Sequence, residues 1–248
     1  MKKLGLIGFP LGHSFSKKYY LEKFDKEHIT GVNYDLYSIA DIQEFEKIFK
    51  DQDFYGVNVT IPHKINVLPY IQELSPEAEA IQAVNCIQIK HKASGPFLKG
   101  FNTDVFGFME SLKPLLEEHH KKALILGNGG AAKAVEYALN ALNISYRFVS
   151  RTKTDTNLTY SELNAQLLNE YHIIINCSPV GTFPNIEDAP DIPYDHIGDK
   201  HLLYDLVYNP AETAFLKKGK NNGAKIKNGL QMLELQAEKN WEIWNEMS

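Results

Sequence analysis

Apolar and polar residues alternate in the stretch "GVNVTIPHK". Val57, Val59 and Ile61 share one face, Asn58 and Thr60 the other, and the run stops at Pro62. A period of two marks a half-buried strand, so 55–61 is predicted as one. The same reading predicts strands at 4–8 and 32–38, helices at 16–28 and 41–49, and helical segments between 63 and 82. Two extended segments follow, "AVNCIQIK" and "FLKGFN", and then a helix from Asp104 to about Glu118. Beyond the charged run "EEHHKK" the pattern restarts with continuous apolar stretches in "ALILG", "SYRFVSRT", "HIIINCSPVGT" and "LLYDLVYNP". Such stretches fit parallel strands buried on both faces. Strands alternating with helices point to α/β architecture. Two α/β units are expected, divided near residues 104–120, with "EEHHKK" as the linker.

At 248 residues the chain has room for one large domain or two smaller ones. A net charge of −5 argues against nucleic acid or an acidic membrane as partner. Cys86 and Cys177 stand far apart without CxxC spacing, which fits buried thiols in a reducing, cytoplasmic compartment. The start "MKKLGLIGFPLG" imitates a signal peptide, but Gly8 and Pro10 break its apolar run, so it reads as a first strand. No stretch reaches transmembrane length. His119 and His120 are adjacent and lack a carboxylate at ligand spacing, so they read as a solvated helix end and no metal is expected.

After the strand "ALILG", Gly127, Gly129 and Ala132 fit the G-x-G-x-x-A spacing. The first glycine permits a tight turn, the second lets a pyrophosphate approach the backbone, and the small third residue lets the helix pack closely. An apolar stripe of Ala131, Ala134, Val135, Ala138 and Leu142 lets that helix lie on a sheet with its N-terminus toward the phosphates. Strand, glycine turn and amphipathic helix together point to a dinucleotide site; the plain alternative is an ordinary strand–turn–helix bend. Where an NAD site places an acidic residue, about 20 positions on, this chain has Ser150, Arg151 and Thr152. A guanidinium with two hydroxyls suits a 2′-phosphate, so NADP is expected as the cofactor.

Several oxidoreductase chemistries fit poorly. Cys and His ligands for a catalytic zinc are missing. Arg147 and Arg151 are the sole arginines, so an arginine fork on a carboxylate has little to draw on. A Tyr-x-x-x-Lys pair at Tyr19 and Lys23 precedes the glycine turn and reads as helix packing and surface.

The segments "HSFSK" (13–17), "NVTIPHK" (58–64), "AVNC" (83–86), "GFNTD" (100–104), "GNGGAAKA" (127–134), "SRT" (150–152), "YDLVYNP" (204–210) and "NGLQMLELQAE" (228–238) resemble, in order, the motif set of the shikimate dehydrogenase family. The resemblance implies reversible NADPH-dependent reduction of 3-dehydroshikimate to shikimate in aromatic amino-acid biosynthesis. It implies an N-terminal α/β substrate domain (1–104 plus 230–248) and a Rossmann-type NADP-binding domain (105–229), with the C-terminal helix returning to the substrate domain. By position, Ser14, Ser16 and Tyr208 would hold the substrate carboxylate. Thr60, Lys64, Asn85, Asp104 and Gln236 would contact the ring hydroxyls and the reacting oxygen. Gly127, Asn128, Gly129, Gly130, Ala131, Ser150, Arg151, Thr152, Leu206 and Gly229 would line the cofactor site. On the last helix Leu230, Leu233, Ala237, Trp241 and Trp244 form an apolar stripe with Gln236 at its edge. Departures from the family pattern are Gln82 in place of glycine, Ser150 in place of asparagine, and Gln231.

Hydride delivery to a ketone makes an alkoxide that needs a proton donor. A free lysine, with a pKa of about 10.4, is an ammonium at neutral pH, and a nearby carboxylate favours that charge. Lys64 is the expected acid and base, and its pairing with Asp104 is what the resemblance implies; the bland alternative for Lys64 is a surface charge at a helix start. Ser14 or Ser16 also reads as an N-cap of the first helix. A quinate or dual quinate/shikimate dehydrogenase, a folate-linked methylene dehydrogenase and a non-catalytic NADP-binding protein are the competing functions. The protein is expected to act as a monomer or homodimer.

Overall fold

A computed structural model describes residues 1–12 and 14–246. The chain divides into two compact units, Met1–Thr103 with the segment from Gln236 onward, and Asp104–Leu235.

In the first unit the elements run β1 (Lys2–Gly8), α1 (Phe15–Lys26), β2 (Val32–Ser38), α2 (Phe45–Phe49), β3 (Phe54–Val59), α3 (His63–Asn66), β4 (Glu73–Leu74), α4 (Pro76–Ile81), β5 (Cys86–Lys92) and β6 (Gly95–Phe101). Among the described residues, six strands form a mixed sheet in the order β2-β1-β3-β5-β6-β4. Helical crossovers make β1 parallel to β2 and β3, whereas β5 runs antiparallel to β3 and β6. One apolar cluster joins Ile7, Phe45, Val57, Val59 and Ile87. A second joins Leu4, Leu6, Tyr20 and Tyr34 to Ala237, Ile243 and Trp244 of the last helix, α9 (Leu230–Asn245). Trp244 lies so close on β3 that a Cβ at Gly56 would stand 2.4 Å from the indole.

The second unit holds α5 (Asp104–Leu112), β7 (Lys122–Leu126), α6 (Gly130–Ala141), β8 (Ser145–Ser150), β9 (Leu158–Thr159), α7 (Ala165–Glu170), β10 (Ile173–Asn176), β11 (Leu202–Asp205), α8 (Ala214–Asn221) and β12 (Lys225–Lys227). Its sheet, in the order β12-β11-β10-β7-β8-β9, is parallel throughout. The chain leaves β7 toward β8 on one side and returns with β10 on the other, so the strand order reverses between β7 and β10. In such sheets ligands bind at the carboxyl ends of the strands beside that reversal.

The α/β reading holds, and β2 has the expected bounds, but several details differ. β3 ends at Val59, and Ile61 is 74% exposed. The 41–49 helix splits into a 3-10 turn at Ile42–Glu44 and α2. The helix from Asp104 stops at Leu112, because Pro114 lacks the N–H a further turn needs, and Lys113–Leu115 form a 3-10 turn. In "EEHHKK" Glu117, Glu118 and Lys121 are exposed as expected, but His120 is 3% exposed, its Nδ1 accepting from the Glu117 N–H at 2.9 Å. In α6 the buried face is Ala132, Ala134, Val135, Ala138 and Leu139, not Ala131 and Leu142. In α9 Leu230 is exposed, while Gln236 and Asn240 lie inside the buried face. β7, β10 and β11 are buried along nearly their whole length, but β8, with only the two-residue β9 beyond it, alternates. Gln82 caps α4 with φ 57°, the left-handed conformation that glycine adopts without strain. Among the described residues no helix is long and apolar enough to cross a membrane.

Candidate active site

In the first unit the ladder of β3 runs out at Val59, and the Thr60 N–H donates to the Ile7 carbonyl at 2.9 Å. Pro62 then starts α3, a single turn that carries Lys64 half-buried. The Lys64 carbonyl accepts from the Val84 N–H at 2.8 Å, which anchors this turn to the segment leading into β5. Ser14 occupies the N-cap position of α1 without a side-chain capping bond, so a capping role does not explain it. Ser16 sits in the first turn of α1, and His13 of the same motif lies outside the described residues.

Asn85 is buried between strands: its N–H donates to the Phe101 carbonyl at 3.0 Å and its carbonyl accepts from the Val59 N–H at 2.8 Å. Its side-chain Oδ1 accepts from the Thr103 N–H at 2.8 Å. The Thr103 hydroxyl is 3.1 Å from that oxygen and 2.6 Å from Asn240 Oδ1. Asn240 Nδ2 donates to Gln236 Oε1 at 3.0 Å. Asn85 and Gln236, both expected at the site, are thus joined through two buried residues the sequence reading did not single out. Thr103 lay inside a quoted motif, and Asn240 follows Gln236 by one helical turn, the spacing that stacks side chains on one face.

In the second unit Gly127 has φ +99°, a conformation glycine takes freely, and its N–H donates to the Val149 carbonyl at 2.8 Å. Asn128 leads to Gly129, the N-cap of α6, with Gly130 and Ala131 in the first turn. A Cβ on Gly129 or Gly130 would meet no atom within 4 Å. Protein crowding therefore does not demand these glycines, whereas close approach of a ligand to the backbone would. First-turn N–H groups lack intrahelical partners and the helix dipole is positive there, so this cradle fits a pyrophosphate. β8 delivers Ser150 next to the turn; its hydroxyl donates to the Thr152 carbonyl at 2.8 Å, and Arg151 and Thr152 are exposed. Leu206 and Gly229 also come together, since a Cβ on Gly229 would stand 2.2 Å from the Leu206 carbonyl oxygen. Tyr208, on the same loop, is 38% exposed, and Asp104 opens α5 half-buried.

The carboxyl ends of β10 and β11 enclose a polar cluster the sequence reading missed. Asn176 and Asp205 end the two strands in register. Asp205 Oδ1 accepts from Asn176 Nδ2 at 2.9 Å and from the Val207 N–H at 3.0 Å, and Oδ2 accepts from the Thr213 hydroxyl at 2.6 Å. Burial raises this carboxyl to about 6 against its three hydrogen bonds, and it pushes the neighbouring Cys177 thiol up as well. Only the position of "YDLVYNP" at a strand end hinted at this. Among the described residues no group of three or more His, Cys, Asp or Glu side chains could hold a metal ion.

Residues 6–87 match the family profile described as the shikimate dehydrogenase substrate binding domain. The protein named shikimate dehydrogenase (NADP(+)) of Caldanaerobacter subterraneus is 36% identical over 98% of this chain and 91% of its own. A crystal structure of a chorismate mutase/shikimate 5-dehydrogenase fusion protein from Clostridium acetobutylicum superposes with a TM-score of 0.85 at 35% identity, covering 100% of this chain and 92% of that one. Shikimate 5-dehydrogenase from Thermus thermophilus, solved with NADP(H) and shikimate, gives a TM-score of 0.84 at 28% identity, covering 100% of this chain and 94% of that one.

Proposed function

The chain belongs to the shikimate dehydrogenase family, and from this we propose that it is an NADP-dependent shikimate dehydrogenase, interconverting 3-dehydroshikimate and shikimate. What carries the reading is the whole-length match to relatives of that name. The unit containing the Asn85–Thr103–Asn240–Gln236 chain takes the substrate, and the unit containing the glycine turn takes the cofactor. NADPH, when bound, supplies the hydride. Gly127 to Ala131 hold its pyrophosphate through backbone N–H groups, Ser150 to Thr152 its 2′-phosphate, and Leu206 and Gly229 complete that site.

Ser14, Ser16 and Tyr208 bind the substrate carboxylate, and Thr60, Asn85 and Gln236 the ring hydroxyls. Lys64 Nζ gives a proton to the oxygen that becomes the alcohol and takes it back in the reverse direction, with Asp104 as the carboxylate of the pair. A buried polar chain suits this task, because it fixes the orientation of the groups that meet the substrate, and an analogue lacking a hydroxyl fails to pair with them. The protein is taken to act in the cytoplasm, as a monomer or homodimer. The test is an absorbance assay of NADPH formation with shikimate and quinate, each against NADP and NAD. Turnover with shikimate and NADP is expected to dominate. Turnover with quinate alone would move the assignment to the neighbouring activity, and NADPH binding without turnover would make it a binding protein.

A further inference from the structure

Asp205 is a buried carboxylate that the proposed chemistry does not use. It is 0% exposed, and among the described residues its side chain meets three neutral donors and no cation. Those donors come from three segments: Asn176 at the end of β10, Val207 in the loop after β11, and Thr213, which caps α8 by accepting from the Leu216 N–H. Asn176 in turn accepts from the Ser178 N–H at 3.1 Å and the Ser178 hydroxyl at 2.6 Å, and donates to the Val180 carbonyl at 3.3 Å. Ser178 backs the glycine turn, its nitrogen being 3.4 Å from where a Cβ on Gly127 would sit, and the Cys177 N–H donates to the Leu126 carbonyl at 2.9 Å. The Asp205 carboxyl therefore ties the end of β10, the loop after β11 and the cap of α8 together, and through Asn176 it reaches the segment that backs the glycine turn.

We propose that Asp205 is a positioning residue. As a carboxylate it holds the Ser178–Val180 and Leu206–Val207 segments in the arrangement that binds NADPH, and protonation loosens them. The proposal rests on the NADP reading above. A carboxylate offers acceptors only, which matches three converging donors; an added proton would oppose two N–H groups at Oδ1, and at Oδ2 it would force the Thr213 hydroxyl to turn from donor to acceptor. Desolvation makes this charge costly to keep at neutral pH, and no cation offsets it, so stability does not account for its presence. The titratable groups around it are the Cys177 thiol and the Tyr194 phenol. Burial and the Asp205 charge push both up, so both stay neutral while the carboxyl titrates.

The test measures NADPH binding by fluorescence, without substrate, from pH 5 to 8, on the parent, Asp205→Asn, Thr213→Val and Thr213→Ser. The cofactor's own 2′-phosphate titrates near 6, so the readout is the difference between variants. Asp205→Asn is expected to bind NADPH about tenfold or more weakly at pH 7.5, the loss of a hydrogen bond to a charged group. Its affinity should also lack the parent's extra loss on the acid side. Thr213→Val removes a bond that favours the carboxylate, so the acid midpoint rises, and Thr213→Ser restores it. Parent-like affinity of Asp205→Asn across the range, or an unmoved midpoint in Thr213→Val, overturns the proposal. Should Asp205→Asn fail to fold, the Thr213 pair decides alone. Failure of the parent to turn over shikimate would strike the functional reading and leave this binding measurement intact.

Discussion

The Thr103 hydroxyl donates to Asn240 Oδ1 across 2.6 Å, tying the segment after β6 to α9. Thr103→Val keeps the branched shape and leaves the Asn240 oxygen without that donor. An orphaned buried acceptor costs about 1–3 kcal/mol. Chemical denaturation is expected to show a loss of this order, and steady-state kinetics a raised KM for shikimate with unchanged NADPH affinity. An equal loss of NADPH affinity would count against a substrate role for this polar chain.

Lys64→Met removes the proposed proton donor while keeping a long side chain. General acid–base catalysis contributes about 10²–10⁴-fold, so kcat should fall within that range in both directions, with NADPH still bound. Near-parental turnover would take lysine out of the chemistry.

Arg151→Ala is expected to weaken NADP binding roughly 10- to 150-fold, as follows from about 1.5–3 kcal/mol for a hydrogen bond to a charged group. NAD affinity should barely change, since NAD carries no 2′-phosphate. Titrating both cofactors against both proteins separates this from a general loosening of the turn after β8.

Two glycines should part company. A Cβ on Gly129 meets nothing in the protein, so Gly129→Ala should leave stability within about 0.5 kcal/mol and still weaken NADPH binding. At Gly229 the new Cβ would press on the Leu206 carbonyl, so Gly229→Ala should lose binding together with about 1–3 kcal/mol of stability. Paired denaturation and binding curves distinguish a site built for a ligand from one built for packing.

The pH dependence of stability should carry two opposed contributions. Burial lowers the His120 and His201 imidazoles below 6.5. Between those lowered values and 6.5 the unfolded chain binds more protons, so this contribution is full above 6.5 and declines as pH falls. Asp205 runs the other way. Its carboxyl is raised from 3.8 to about 6, so the folded chain holds the extra proton and stability falls as pH rises through that window. Urea denaturation from pH 4 to 8 should show His201→Gln flattening the first trend and Asp205→Asn removing the second.

Much of this was legible in the residues. The strand expected at 32–38 matched β2 to its ends, and glycine spacing located the turn whose backbone lies open. Ends of elements were less legible, because they depend on which donors remain: Pro114 cut α5 short, and β3 stopped before Ile61. Polar residues on apolar faces were less legible for a different reason. Asn240 looks like a surface position on a helical stripe, and its contact with Thr103, far away in sequence, and with Gln236 places it inside. Asp205 was hidden in the same way, since nothing local announces that Asn176 will stand beside it. Gln82 held the left-handed cap despite its side chain, helped by a bond from its amide to the Glu79 carbonyl at 2.6 Å.

Trp244 rests on Gly56 and shares its cluster with Tyr20 and Tyr34, yet it is synthesised after the whole of Asp104–Leu235. The unit that begins first on the ribosome is therefore completed second. Its nascent sheet must wait, one aromatic face bare, while a continuous stretch of chain emerges and is able to close ahead of it. That delay is written into the order of the chain, since Asp104–Leu235 lies between the two segments of the other unit.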